Sequence, residues 1–91
     1  MAIDKLTDAQ LINTTVAAMA PYRCVAEVGD YSARFGFAVY YGEDEDERQV
    51  FESPRREVRR ATDLIAALND ARHRMSALGV NFAPWDNKIR S

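Results

Sequence analysis

The chain has 91 residues, 47% hydrophobic and 29% charged, with a formal net charge of −2. This is ordinary globular composition for one domain with a modest core, and the charge favours neither bulk nucleic-acid affinity nor an acidic disordered tail. A single cysteine, Cys24, leaves no internal disulfide and points to a reducing, cytoplasmic setting; the opening residues lack the basic-then-apolar pattern of a signal peptide, and no run approaches the roughly 18 apolar residues of a membrane span.

In chain order, Thr7 is a helix cap, with Gln10 placed to return the bond as a capping box and with Leu6 and Leu11 at the staple positions. Asp8 suits the positive end of the dipole. Ile12, Val16, Met19 and Ala20 continue an apolar stripe until Pro21, so a helix is expected over 8–20. Residues 22–28 and 31–41 are rich in aromatic and β-branched side chains and read as two strands around Gly29-Asp30. A two-residue turn there would pair Val28 with Tyr31, Ala26 with Ala33, Cys24 with Phe35 and Tyr22 with Phe37, all on one face with Val39 and Tyr41. The other face would carry Arg23, Val25, Glu27, Ser32, Arg34, Gly36 and Ala38, and Tyr40 would point outward. Glu43-Asp44-Glu45-Asp46-Glu47 forms an acidic loop, favoured as a solvated turn over a phosphate mimic or a site for a basic partner. A third strand follows over 48–52, with either Val50 or Phe51 facing inward.

The organising stretch is a helix over 54–78. Ser53 is its cap, Pro54 its first residue and Gly79 its left-handed stop, with Val80 folding back. Val58, Ala61, Leu64, Ile65, Leu68, Ala71, Met75 and Leu78 recur at helical spacing, giving a rod of about 37 Å. A short sheet cannot cover that length, so its far turns need helix 1, the tail or a second subunit. Arg72 falls within its apolar arc, where the stem can snorkel or the head meet a carboxylate. In the tail, Phe82, Trp85 and Ile89 are too apolar to stand idle; Phe82 and Trp85 are candidate anchors, either for tail packing or for a partner.

The element order predicts an α+β fold, α-β-β-β-α: a three-stranded antiparallel sheet with two helices packed on one face and two open edges. Arg55, Arg56, Arg59 and Arg60 crowd the start of the second helix, where cations are unfavourable, and form a candidate anion or partner site. Weighed against that, and favoured over it, are solvated or locally paired arginines, the usual fate of surface ion pairs. The topology sends the acidic loop to the far end of the sheet, toward Arg72, His73 and Arg74.

This layout, with Arg55-Arg56-Glu57-Val58-Arg59 opening helix 2, resembles the double-stranded RNA-binding domain, whose second helix opens on a Lys-Lys-x-Ala-Lys run. Gly29-Asp30-Tyr31-Ser32 stands where that family has a Gly-Pro-x-His turn. The resemblance implies duplex contact through the arginines and through Gln10, Asn13, Thr14 and Thr15 of helix 1. Cys24 on the core face and His73 on the polar side of helix 2 make no nucleophile pair, and one histidine with one cysteine makes no metal set. The expectation is a non-enzymatic protein-interaction or regulatory module with no catalytic, cofactor or metal residues. Its partner would be another protein or a second copy, with nucleic acid as the alternative partner and no membrane.

Overall fold

The computed structural model describes residues 5–29, 31 and 33–91. The order is α1 (Asp8–Ala18), β1 (Arg23–Gly29), β2 (Arg34–Tyr40), β3 (Arg48–Pro54), a 3-10 turn (Arg55–Val58) and α2 (Ala61–Ser76). The three strands form one antiparallel sheet in the order β1-β2-β3. Both helices lie on one face, giving the expected α+β architecture. Among the described residues no helix is long and apolar enough to cross a membrane.

The opening of α1 follows its local chemistry. The Gln10 amide donates to Thr7 Oγ1 at 3.1 Å, and the Thr7 amide donates to Gln10 Oε1 at 2.9 Å. The helix ends at Ala18 rather than residue 20, because the approach to Pro21 disfavours helical backbone. Its buried side is also rotated from the expected stripe. Val16 is exposed, whereas Leu11, Thr14, Thr15 and Ala18 are buried. The threonines tolerate burial because their hydroxyls have partners: Thr15 Oγ1 donates to the Leu11 carbonyl, and Thr14 Oγ1 accepts the Arg90 amide.

The hairpin register differs from the two-residue turn. Val28 lies opposite Phe35, Ala26 opposite Phe37 and Cys24 opposite Val39, with Gly29 and Arg34 as the last pair. Each β1 residue meets a partner four places further along than expected. An even slip keeps every side chain on its face, so Phe35, Phe37 and Val39 are buried while Val25 is exposed. Tyr31 is a correction. It sits in the connecting loop at φ 55 and is fully exposed, so it adds nothing to the core. The Ala33 amide donates to the Gly29 carbonyl at 3.1 Å and closes the wider loop. Asp30 and Ser32 lie outside the described residues.

β3 settles its own register. Phe51 faces inward and stacks on Phe37 at 5.0 Å, while Val50 is exposed. The strand runs on through Ser53 and Pro54, which pair with Phe35 and Arg34. Those two residues therefore do not open a helix. The expected rod over 54–78 is broken: Arg55–Val58 forms a 3-10 turn, and Arg60 is extended at φ −104, ψ 150. The Leu6 amide donates to the Arg59 carbonyl at 2.7 Å and holds the break open. The break also keeps three of the four arginines out of α2 itself, with Arg60 left at its cap, and so away from the positive end of its dipole.

The far end of α2 closes as expected. Gly79 is left-handed at φ 90, its amide donates to the Ser76 carbonyl, and the Val80 amide reaches back to the Met75 carbonyl. This is a Schellman cap, with buried Val80 as its apolar contact. The tail over 80–91 then crosses both helices. Phe82 meets Tyr22 edge-on at 5.5 Å, Trp85 Nε1 donates to Asn69 Oδ1, and Asn13 Nδ2 donates to the Ser91 carbonyl.

Candidate functional site

The four arginines do not form one surface. Arg55 is buried: its Nε and Nη2 donate to Asp8 Oδ1 at 3.3 and 3.2 Å, and Nη2 also donates to the Leu6 carbonyl. Its Nη1 is buried with no partner. This guanidinium ties the exit of β3 to the start of α1. Arg56 and Arg59 are exposed and share a hollow of about 270 Å³ with Lys5, Ala33 and Arg55. Arg60 is exposed at the α2 cap and does not line it. Thr14 and Thr15, two of the helix 1 groups that the duplex-binding layout would use, are fully buried.

Phe82 and Trp85 pack on their own chain. Arg72 lies over the Phe82 ring at 5.2 Å and donates to the Ala83 carbonyl at 2.6 Å; desolvation there holds its guanidinium below the usual value. Arg74 pairs with Asp70 at 2.9 Å. The acidic loop therefore meets neither, contrary to expectation. Glu45 pairs instead with Arg23 at 3.0 Å, and its carbonyl accepts Arg48 Nη1. The loop bends back toward Arg23 and Arg48 on the outer face of the sheet rather than toward Arg72, His73 and Arg74. Cys24 is half-buried, and desolvation pushes its thiol up to about 12, so it stays protonated and weakly nucleophilic. Among the described residues no group of three or more His, Cys, Asp or Glu side chains could hold a metal.

A concave surface lies between β3 and α2. Two adjoining hollows, of about 310 and 410 Å³, share Phe51, Glu52 and Arg74. The first is floored by Phe35, Phe37, Phe51, Leu68 and Ala71, with Ala67 at its wall. The second runs on past Val50 to Met75 and Leu78. Sequence reasoning did not find this cleft. Its signal was the small side chains Ala67 and Ala71 on the sheet side of α2, which leave space above Phe51.

β3 is an edge strand, and its hydrogen-bonding alternation can be deduced. The Tyr41 amide donates to the Glu47 carbonyl at 3.0 Å, and the Arg55 amide donates to the Ala33 carbonyl at 2.8 Å. In an antiparallel ladder, bonded pairs recur every second residue. Residues 47, 49, 51, 53 and 55 therefore bond inward to β2. Arg48, Val50 and Glu52 turn their amides and carbonyls toward the open edge. A strand laid along that edge would send alternate side chains into the cleft beside Phe51. The rim carries Glu52, Glu57 and Asp70 against Arg74, an acidic balance.

Comparison with known proteins finds no matching family model, no matching curated protein and no matching solved structure.

Proposed function

We propose that the chain is a small protein-interaction module of accessory or regulatory kind, acting by docking rather than catalysis in a reducing, cytoplasmic setting. Its β3 edge takes an extended segment of a partner protein. Main-chain bonds to Arg48, Val50 and Glu52 supply affinity, and the cleft against α2 selects apolar side chains at alternate positions. The acidic rim favours a lysine or arginine among them. The observation that carries this reading is the coincidence of an open strand edge with a cleft beside it that has a phenylalanine floor and a charged rim. The test is selection from a display library of random nine-residue peptides. Enriched sequences should alternate apolar residues and include a basic one. Val50→Pro removes only an outward-facing amide, and Ala67→Arg fills the mouth of the cleft; either should abolish capture while circular dichroism stays unchanged. No enrichment, or enrichment indifferent to both changes, would overturn the reading.

A second reading is contact with a nucleic-acid backbone through Lys5, Arg56 and Arg59, supported by the hollow they share. Duplex RNA binding that falls steeply with salt, and is lost in Arg56→Ala/Arg59→Ala, would support it. No binding at low salt would remove it.

A further inference from the structure

We propose that the outer face of the sheet, opposite the helices, is a self-complementary surface that pairs with a second copy of this chain. The register arranges that face in cross-strand rows. Arg23, Tyr40 and Arg48 form a basic row; Val25, Ala38 and Val50 form an apolar row; Glu27, Gly36 and Glu52 form an acidic row. Successive rows are about 7 Å apart along the strands. Val25 and Val50 are 47% and 52% exposed, so neither helix covers this side.

A two-fold axis lying across the strands, above the apolar row, turns the face onto itself. β1 then meets β1 of the other copy. The basic row of each lies over the acidic row of the other, Arg23 on Glu27 and Arg48 on Glu52. The apolar rows meet each other. Tyr40 lies over Gly36 of the second copy, beside a shallow hollow of about 210 Å³ lined by Val25, Tyr40, Val50, Glu27 and Glu52; the Glu52 side chain leans over Gly36 and must swing out toward Arg48 of the second copy to admit the ring. Arg23 already lies over the Tyr40 ring at 3.9 Å, so ring and guanidinium would enter together. A two-fold interface needs one patch that complements itself. Here the order of charge along the strands, positive, neutral, negative, meets that need, with Arg34 lying one row beyond Glu27 and Glu52.

Within one copy, Arg23 and Arg48 are engaged by Glu45, and Glu52 by Arg34 at 3.4 Å. These are exposed contacts of small net value, open to exchange. Three strands of seven residues present about 14 Å by 23 Å. Two such faces bury less than the roughly 1,200 Å² of a lasting interface, so the dimer is weak and reversible. The β3–α2 cleft lies on the helical side of the sheet and shares only Val50 and Glu52 of the edge strand with this face.

Sedimentation equilibrium over about 5 to 500 µM at low salt tests the pairing. The wild type should pass from monomer to dimer, and added salt should weaken the association. Arg23→Glu/Arg48→Glu makes these three rows all acidic, leaving Arg34 in the row beyond, and Glu27→Arg/Glu52→Arg makes them all basic. Each variant alone should stay monomeric, and an equimolar mixture of the two should form a heterodimer. Ala67→Arg should leave the wild-type dimer intact, which separates this face from the cleft. A monomeric wild type, a dimer that salt strengthens, variants that self-associate alone, or a folded mixture that stays monomeric would each overturn the proposal. Should a variant fail to fold, the wild-type salt dependence still decides.

Discussion

Replacing Asp8 by alanine should cost the fold more than replacing the buried arginine it serves. Arg55 has an 8% exposed side chain, whereas that of Asp8 is 49% exposed. Asp8→Ala strands a buried guanidinium with the Leu6 carbonyl as its one remaining partner. Breaking a fully buried pair costs about 3–5 kcal/mol. Solvent beside Asp8 reduces that to about 2 kcal/mol, and loss of its charge at the α1 start adds about 0.5 kcal/mol. Arg55→Met removes the same pair but leaves no buried charge. It also removes the unpartnered Nη1, whose desolvation costs about 1 kcal/mol and offsets the bare Leu6 carbonyl. The net cost should be about 1 kcal/mol or less. With a urea slope of about 1 kcal/mol/M, the midpoint should fall by about 2.5 M in Asp8→Ala and by about 1 M or less in Arg55→Met. The double variant should be more stable than Asp8→Ala alone. An Arg55→Met loss equal to or above that of Asp8→Ala, or a double variant no better than Asp8→Ala, would refute the reasoning.

Trp85→Ala removes a half-buried ring and its bond to Asn69, and should cost about 2 kcal/mol by denaturant titration. The Cys24 thiol, pushed up to about 12, should react with a disulfide reagent at pH 8 about a thousandfold more slowly in the folded chain than in denaturant. Because the folded thiol holds its proton while the unfolded one ionises, stability should fall as pH rises through the ordinary thiol range, and Cys24→Ala should flatten that slope. A hydrogen bond from Arg90 holds Asp86 below its usual carboxylate value. Its contribution is present above that usual value and is lost as pH falls through the lowered one, so acid should loosen the tail. Trp85 fluorescence should report the loosening, and Asp86→Asn should abolish its pH dependence.

What was legible in the sequence was what neighbours decide. The Thr7–Gln10 capping box and the Gly79 stop each close within one or two turns, and both stand as expected. Face polarity in the hairpin also survived, because the error in register was even. The register itself was not legible: Gly29-Asp30 suits a two-residue turn, but the wider loop leaves Tyr31 in water and brings Val28 opposite Phe35. The broken second helix was hidden for a different reason. The break is held by distant partners: β3 runs on through Pro54 against Arg34, Arg55 meets Asp8 47 residues earlier, and the Leu6 amide meets the Arg59 carbonyl, and no local propensity records such pairings. The cleft depends on the space left between α2 and β3, which the apolar spacing of α2 alone cannot measure. The dense basic run was a real anomaly, but it marked a buried buttress at Arg55 as well as an exposed hollow at Arg56 and Arg59.

The unpaired margin of β3 also carries a hazard. Bare amides and carbonyls along a margin are a template for uncontrolled stacking into aggregates. Here the flanking side chains act as gatekeepers: Arg48 and Glu52 put charge beside the exposed groups, and Pro54 ends the row without an amide to offer. Arg48→Val combined with Glu52→Val would strip both charges from around Val50 and Phe51 and leave a sticky ribbon, and solubility, more than folding, would be the first property to fail.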